Sequence, residues 1–89
     1  MEFKGTKGEW CIEYHDVGAA IGREDLDYQI ADVYGYNHSE CKANAKLIAA
    51  APNLLESLQR WVKFADSQNL NYESSMVRES KKAIEKALS

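Results

Sequence analysis

The stretch "NAKLIAAAPNLLESL", Asn44–Leu58, holds the chain's only proline, three alanines directly before it and an asparagine at its start. Proline fits the first turn of a helix, where its missing N–H costs nothing, and breaks a helix interior. The Ala51–Pro52 step therefore predicts a junction between two helices or a sharp kink, with alanines letting backbones approach at the corner. Upstream, Asn37 is a good N-cap and Glu40 follows three residues later, the spacing of a capping box. A first helix is expected from about His38 to Ala51 and a second from about Pro52 to Gln68. On the second, Leu54, Leu58, Trp61 and Ala65 fall at helical spacing, flanked by Leu55 and Val62. Asn69, Leu70 and Asn71 read as a connection. A third helix, from about Tyr72 to Leu88, carries Met76, Val77, Ala83, Ile84, Ala87 and Leu88 on one side. Its other side is charged, with Glu79–Lys82 and Lys82–Glu85 pairs expected to add a few tenths of a kcal/mol each.

Before Asn37 the composition changes. All five glycines lie there, with most of the β-formers. In "EWCIEYHD", Trp10, Ile12 and Tyr14 alternate with Cys11, Glu13 and His15, the period of a half-buried strand. "VGAAIG" reads as a second strand, ended by Gly22 and the polar turn "REDLD". "QIADVYGY" reads as a third, with Ala31 and Val33 on one face and Ile30, Tyr34 and Tyr36 on the other. Such a strand needs two covers: the helical half of the chain and, for the second face, another subunit. The expected fold is α+β, a three-stranded antiparallel meander over residues 1–36 followed by three helices over residues 37–89, packed on one face as one domain.

Eighty-nine residues bury only a small core, so self-association into a homodimer is expected, through the sheet's second face or through the helices. Hydrophobic residues are 45% and charged residues 28%, ordinary values for a soluble globular protein. The net charge of −3 argues against a nucleic-acid binder, which carries a basic stripe. No apolar run approaches the roughly 20 residues that span a bilayer. The start "MEFKGTKGEW" lacks a signal peptide's apolar segment, and two cysteines suit a reducing compartment, so a cytoplasmic setting is expected.

The layout also resembles a known group. "GEWCIEY", then "IADVYG", then "KANAKLIAAAPNLLESL", then "KKAIEKAL" is similar to a large group of small phage and prophage proteins. These typically carry A-N-A-x-L-I-A-A-A-P-x-L-L-x-x-L in the same order. The resemblance implies a phage setting in a bacterial host, carries no enzyme activity or cofactor with it, and suggests an accessory factor that binds a host protein or a nucleotide signal.

Candidate chemistry is sparse. Cys11-x3-His15 and His38-x2-Cys41 invite a zinc reading, but residues four apart on a strand lie about 13 Å apart, too far to share one metal. Glu9, Glu13, Asp16, Asp25 and Asp27 show no catalytic spacing, and no phosphate loop or nucleophile elbow is present. No catalytic or metal-ligating residue is assigned. Asn44 shares a helix face with Cys41, Leu47 and Ile48, where an amide must find a hydrogen-bond partner or a ligand. Trp10 and Trp61 are expected in the core. Tyr34 and Tyr36, with Arg60, Lys63 and Phe64 on the second helix, offer an aromatic and basic surface for a partner or a phosphate. The leading expectation is a non-catalytic phage accessory protein that binds a host macromolecule, such as a defence component, through Tyr34, Tyr36, Asn44, Arg60, Lys63 and Phe64. The second is a sponge for a host nucleotide signal at a subunit seam. Some phage sponge proteins against TIR-type defence are similar in plan and bind with an aromatic, an asparagine and arginines, residue types that Tyr34, Asn44 and Arg60 supply.

Overall fold

A computed structural model describes residues 2–25, 27–68 and 75–89. Its elements run β1 (Cys11–Tyr14), β2 (Ala19–Gly22), β3 (Gln29–Val33), α1 (His38–Ala49), α2 (Ala51–Ser67) and α3 (Ser75–Leu88). The fold is α+β, a three-stranded antiparallel sheet in the order β1-β2-β3 followed by three helices. The chain forms two compact units, Thr6–Pro52 and a second made of Asn53–Ser89 with Met1–Gly5.

In the first unit β2 is the central strand. Ile12 and Ala31 flank Ile21 in register, and Tyr14 and Val33 flank Ala19. The β1–β2 hairpin closes where the His15 amide donates to the Gly18 carbonyl at 2.8 Å. Ala19, Ile21 and Val33 face α1, whose Cys41 and Ala45 complete the core, with Ile48 and Ala49 packed against it. Small residues at Cys41 and Ala45 let the helix lie close to the sheet. Trp10 packs against this core half-buried and donates Nε1–H to the Thr6 carbonyl at 3.1 Å, so its polar tip is satisfied.

The third strand departs from its expected pattern. Ile21 pairs with Ala31 but Gly22 pairs with Gln29, which leaves Ile30 as the extra residue of a β-bulge. Ile30 and Ala31, neighbours in sequence, therefore both pack against the core. The strand ends at Val33, so Tyr34 and Tyr36 lie beyond it and do not form a second strand face with Ile30.

Helix α1 starts as its sequence predicts: Asn37 Oδ1 accepts the Glu40 amide at 2.8 Å. It ends earlier than expected, at Ala49. Ala50 caps it, its amide donating to the Lys46 carbonyl at 3.1 Å. Pro52 is the second residue of α2, in the first turn, and has no N–H to offer the Ile48 carbonyl four residues back. The proline thus marks a junction between two helices.

In the second unit α2 and α3 lie antiparallel. Lys81 Nζ sits 3.2 Å from Asp66 Oδ1, and one turn earlier on α2 Val62 shares a shallow groove with Ile84 and Glu85, one turn later on α3. Asp66 Oδ1 is out of contact with water and receives no well-directed hydrogen bond among the described residues, so charge rather than a directed bond holds the ammonium there. The charge pairs expected along α3 do not form: Lys82 has no ion pair among the described residues. The stripe of α2 is also displaced. Leu55, Leu58 and Val62 are half-buried and Ala65 is buried, whereas Leu54 is exposed and Trp61, expected in the core, remains 37% exposed. On α3, Val77 is buried and Ile84 and Leu88 are half-buried, while Met76, Ala83 and Ala87 are exposed. The expected start of α3 at Tyr72 and the connection at 69–71 lie outside the described residues.

Candidate functional site

The residues singled out from sequence fall into two sets, one in each unit. Tyr34, Tyr36 and Asn44 belong to the first. Arg60, Lys63 and Phe64 belong to the second.

The first set is built around the turn from β3 into α1. Asn44, at the end of the second turn of the helix, reaches back, and its Nδ2 donates to the Tyr34 carbonyl at 3.0 Å. The amide on the inner side of α1 is therefore satisfied by backbone just past the strand. Two further contacts fix the same turn. A Cβ on Gly35 would stand 2.5 Å from the Cys41 amide nitrogen, so only glycine allows the chain to pass this close to the first turn of α1. Cys41 Sγ in turn lies 3.5 Å from the Val33 carbonyl, a weak S–H donor contact. Between these ties Tyr34 is 64% exposed and Tyr36 93% exposed. Two large amphipathic side chains stand in water on a segment whose backbone is held from both sides.

The second set lies along α2. Arg60 Nη2 pairs with Glu56 Oε1 at 2.7 Å, one turn back, and both groups are well exposed. Phe64 is exposed and its ring centroid lies 6.3 Å from that of Trp61, tilted by 33°. Lys63 is exposed beside them.

A cleft of about 510 Å³ on the side of the sheet away from α1 was not foreseen. Ala20 and Gly22 form its floor, and Glu13, Glu24, Asp27 and Tyr28 are among its walls. Arg23, also lining it, is already engaged: Nε and Nη2 bind the Asp25 carboxylate at 3.0 and 2.6 Å, and Nη1 donates to the Lys7 carbonyl at 2.8 Å. The spacing R-x-D within the turn carried a local signal for the first contact. The tie to Lys7, sixteen residues away, had none. With three carboxylates and a neutralised guanidinium, this cleft repels phosphate. Among the described residues no group of three or more His, Cys, Asp and Glu side chains gathers as a metal would require. No described helix is long and apolar enough to cross a membrane.

The comparisons give a family of small phage proteins, matched over residues 1–89. The chain belongs to the family of Salmonella phage P22 protein Y8K6. No curated protein and no solved structure matches it.

Proposed function

We propose that this phage protein works without catalysis, by docking on a host protein through the turn that carries Tyr34 and Tyr36. The observation that supports it is the pairing of exposure with fixation. Tyrosines are among the side chains that dominate binding energy at interfaces, and they lose little entropy when already held. Tyr36 is almost fully in water while the Asn44 bond and the Gly35 contact hold the backbone beneath it. A net charge of −3 favours a protein over a nucleic acid as partner. Membership in a phage family supports a host target, and within this reading the target is a component of host defence, so the protein acts as a counter-defence factor in the cytoplasm. The same reading takes Ala43–Leu58 as the segment family members share, since it supplies both Asn44 and the Pro52 junction. Tagged wild type retains its target from host lysate, and the double variant Tyr34→Ser, Tyr36→Ser does not. Equal retention by both contradicts the proposal.

The second reading is the nucleotide sponge. The adjacency of an aromatic and an amide at Tyr34 and Asn44 supports it, although the amide nitrogen already serves the backbone. Calorimetry against a panel of cyclic and linear nucleotides separates the two: heat of binding that vanishes in Asn44→Ala and Arg60→Ala supports the sponge, and silence across the panel contradicts it.

A further inference from the structure

The sheet has two edges, and they differ. A strand residue turns its N–H and C=O to the same side, and successive residues alternate. At the end of the β1–β2 hairpin the His15 amide donates to the Gly18 carbonyl. By alternation Glu13 and Cys11 turn their backbone groups to β2, opposite Ala20 and Gly22. Ile12 and Tyr14 turn theirs away from the sheet. Among the described residues no backbone bond beyond the ladder reaches either of them. Each therefore holds out a donor and an acceptor along an unbroken four-residue edge. At the other edge β3 carries the bulge at Ile30, which bends the strand and interrupts the row. A bulge protects an edge against added strands, and the β1 register has none.

We infer that the β1 edge takes up an extended segment of a partner protein that alternates basic and apolar residues. The backbone supplies the attachment: Ile12 and Tyr14 pair with the segment as a fourth strand. The two faces of the sheet select its side chains. On the outer face the added strand lies beside Glu13, and the cleft behind it adds Glu24 and Asp27. Arg23, the cation among the cleft's lining residues, is held by Asp25 and by the Lys7 carbonyl. Lysine or arginine at every second position of the segment therefore meets uncompensated carboxylates. On the face toward α1 the neighbours are Ile12 and Tyr14, and Lys42 Nζ stands 5.8 Å from the centre of the Tyr14 ring. That face repels a second cation and accepts an apolar side chain. Two β1 strands paired with each other would bring the carboxylates of both copies together, so charge favours a basic segment over a second copy. The edge lies across the sheet from β3, which leads into the Tyr34–Tyr36 turn, and the inference does not depend on that turn.

Fluorescence anisotropy with a labelled peptide of alternating lysine and valine, blocked at both ends, tests the inference. The full chain binds it, and added salt weakens the binding. The same peptide with glutamate for lysine does not bind. A version N-methylated along its backbone keeps the charges, loses every backbone donor and binds about tenfold more weakly. Tyr14→Pro removes an outward N–H while the ladder to β2 stays intact, and it weakens binding about tenfold. Tyr14→Thr, which keeps that donor, does not. Glu13→Lys weakens binding by a similar factor. Bound peptide also slows thiol labelling of the exposed Cys11. The double variant Tyr34→Ser, Tyr36→Ser binds the peptide as wild type does, so failure here and failure of the Tyr34–Tyr36 docking are read separately. No binding of the lysine peptide, or equal binding of the glutamate or N-methylated peptide, overturns the inference. A wild-type dimer that Tyr14→Pro dissociates would give the edge to a second copy and overturn it as well. Should Tyr14→Pro fail to fold, the N-methylated peptide on wild type decides.

Discussion

Asn44 and Tyr34, ten residues apart, are joined by one hydrogen bond, from the Asn44 side-chain amide to the Tyr34 carbonyl at 3.0 Å. That bond ties the first helix to the chain leaving the sheet. It also explains an amide on the inner side of an alanine-rich helix: the carbonyl just past β3 has no further strand to pair with, and Asn44 serves it. The same tie holds the segment that presents Tyr34 and Tyr36, so a structural side chain and a candidate binding surface share one support.

Replacing Asn44 by alanine removes this tie. The expected cost is about 1 kcal/mol, the net worth of a hydrogen bond whose acceptor water can still reach. A domain of this size then melts several degrees lower. Amide exchange at Gly35 and Tyr36 speeds up more than exchange at Ile21, because the loss is local. Chemical denaturation and hydrogen exchange measure the two effects, and uniform acceleration at all sites contradicts the assignment.

Gly35→Ala is expected to be worse than its size suggests. The new methyl meets the backbone of Cys41, at 2.5 Å from its nitrogen and 2.9 Å from its Cα, which cannot swing aside as a side-chain end does. The loss is expected to exceed 1 kcal/mol, with α1 shifted off the sheet. A change in unfolding midpoint within error of wild type contradicts the close packing of this turn.

Ile21, at 0% exposure on the central strand, is the largest fully buried side chain described. Ile21→Ala leaves a cavity under Ala45 and Cys41 and costs about 2–5 kcal/mol. Small domains have about 5–15 kcal/mol in total, so this variant is marginal or unfolded at 37 °C. Circular dichroism melting reads the outcome, and a fall of less than 1 kcal/mol contradicts the core described above.

The two thiols differ in access. Cys11 is exposed at the sheet edge and Cys41 is buried on the inner side of α1, against the sheet. A thiol reagent in native buffer therefore reacts with Cys11 at once and with Cys41 only as the fold opens. The Cys11→Ser variant is expected to show slow labelling alone, and fast labelling of that variant contradicts the burial of Cys41.

Much of this was legible in the chain. Asn37 and Glu40 announce the start of α1 and Pro52 the start of α2, because capping and ring chemistry act within a few residues. The three strands were visible from alternation and glycine punctuation. The bulge at Ile30 was not, since a one-residue insertion in a ladder depends on the partner strand and leaves no mark in the strand's own period. It shifts which residues count as inner, and with that shift Tyr34 and Tyr36 cease to be a strand face. On α2 the apolar residues span two stripes at once. Periodicity alone cannot assign Val62 to the groove with α3 and leave Leu54 and Trp61 outside, because all three have the spacing of a buried face. The acidic cleft was hidden for a similar reason: Glu13, Glu24 and Asp27 gather only when β1 and the turn after β2 come together.

The central claim, that the protein acts by docking through the Tyr34–Tyr36 turn, is tested most directly by a photo-crosslinking residue in place of Tyr36. Irradiation during phage infection is predicted to give one covalent adduct with a host protein, lost when the same residue is moved to Lys46 on the exposed side of α1. Adduct formation at position 46 and none at position 36 would contradict it.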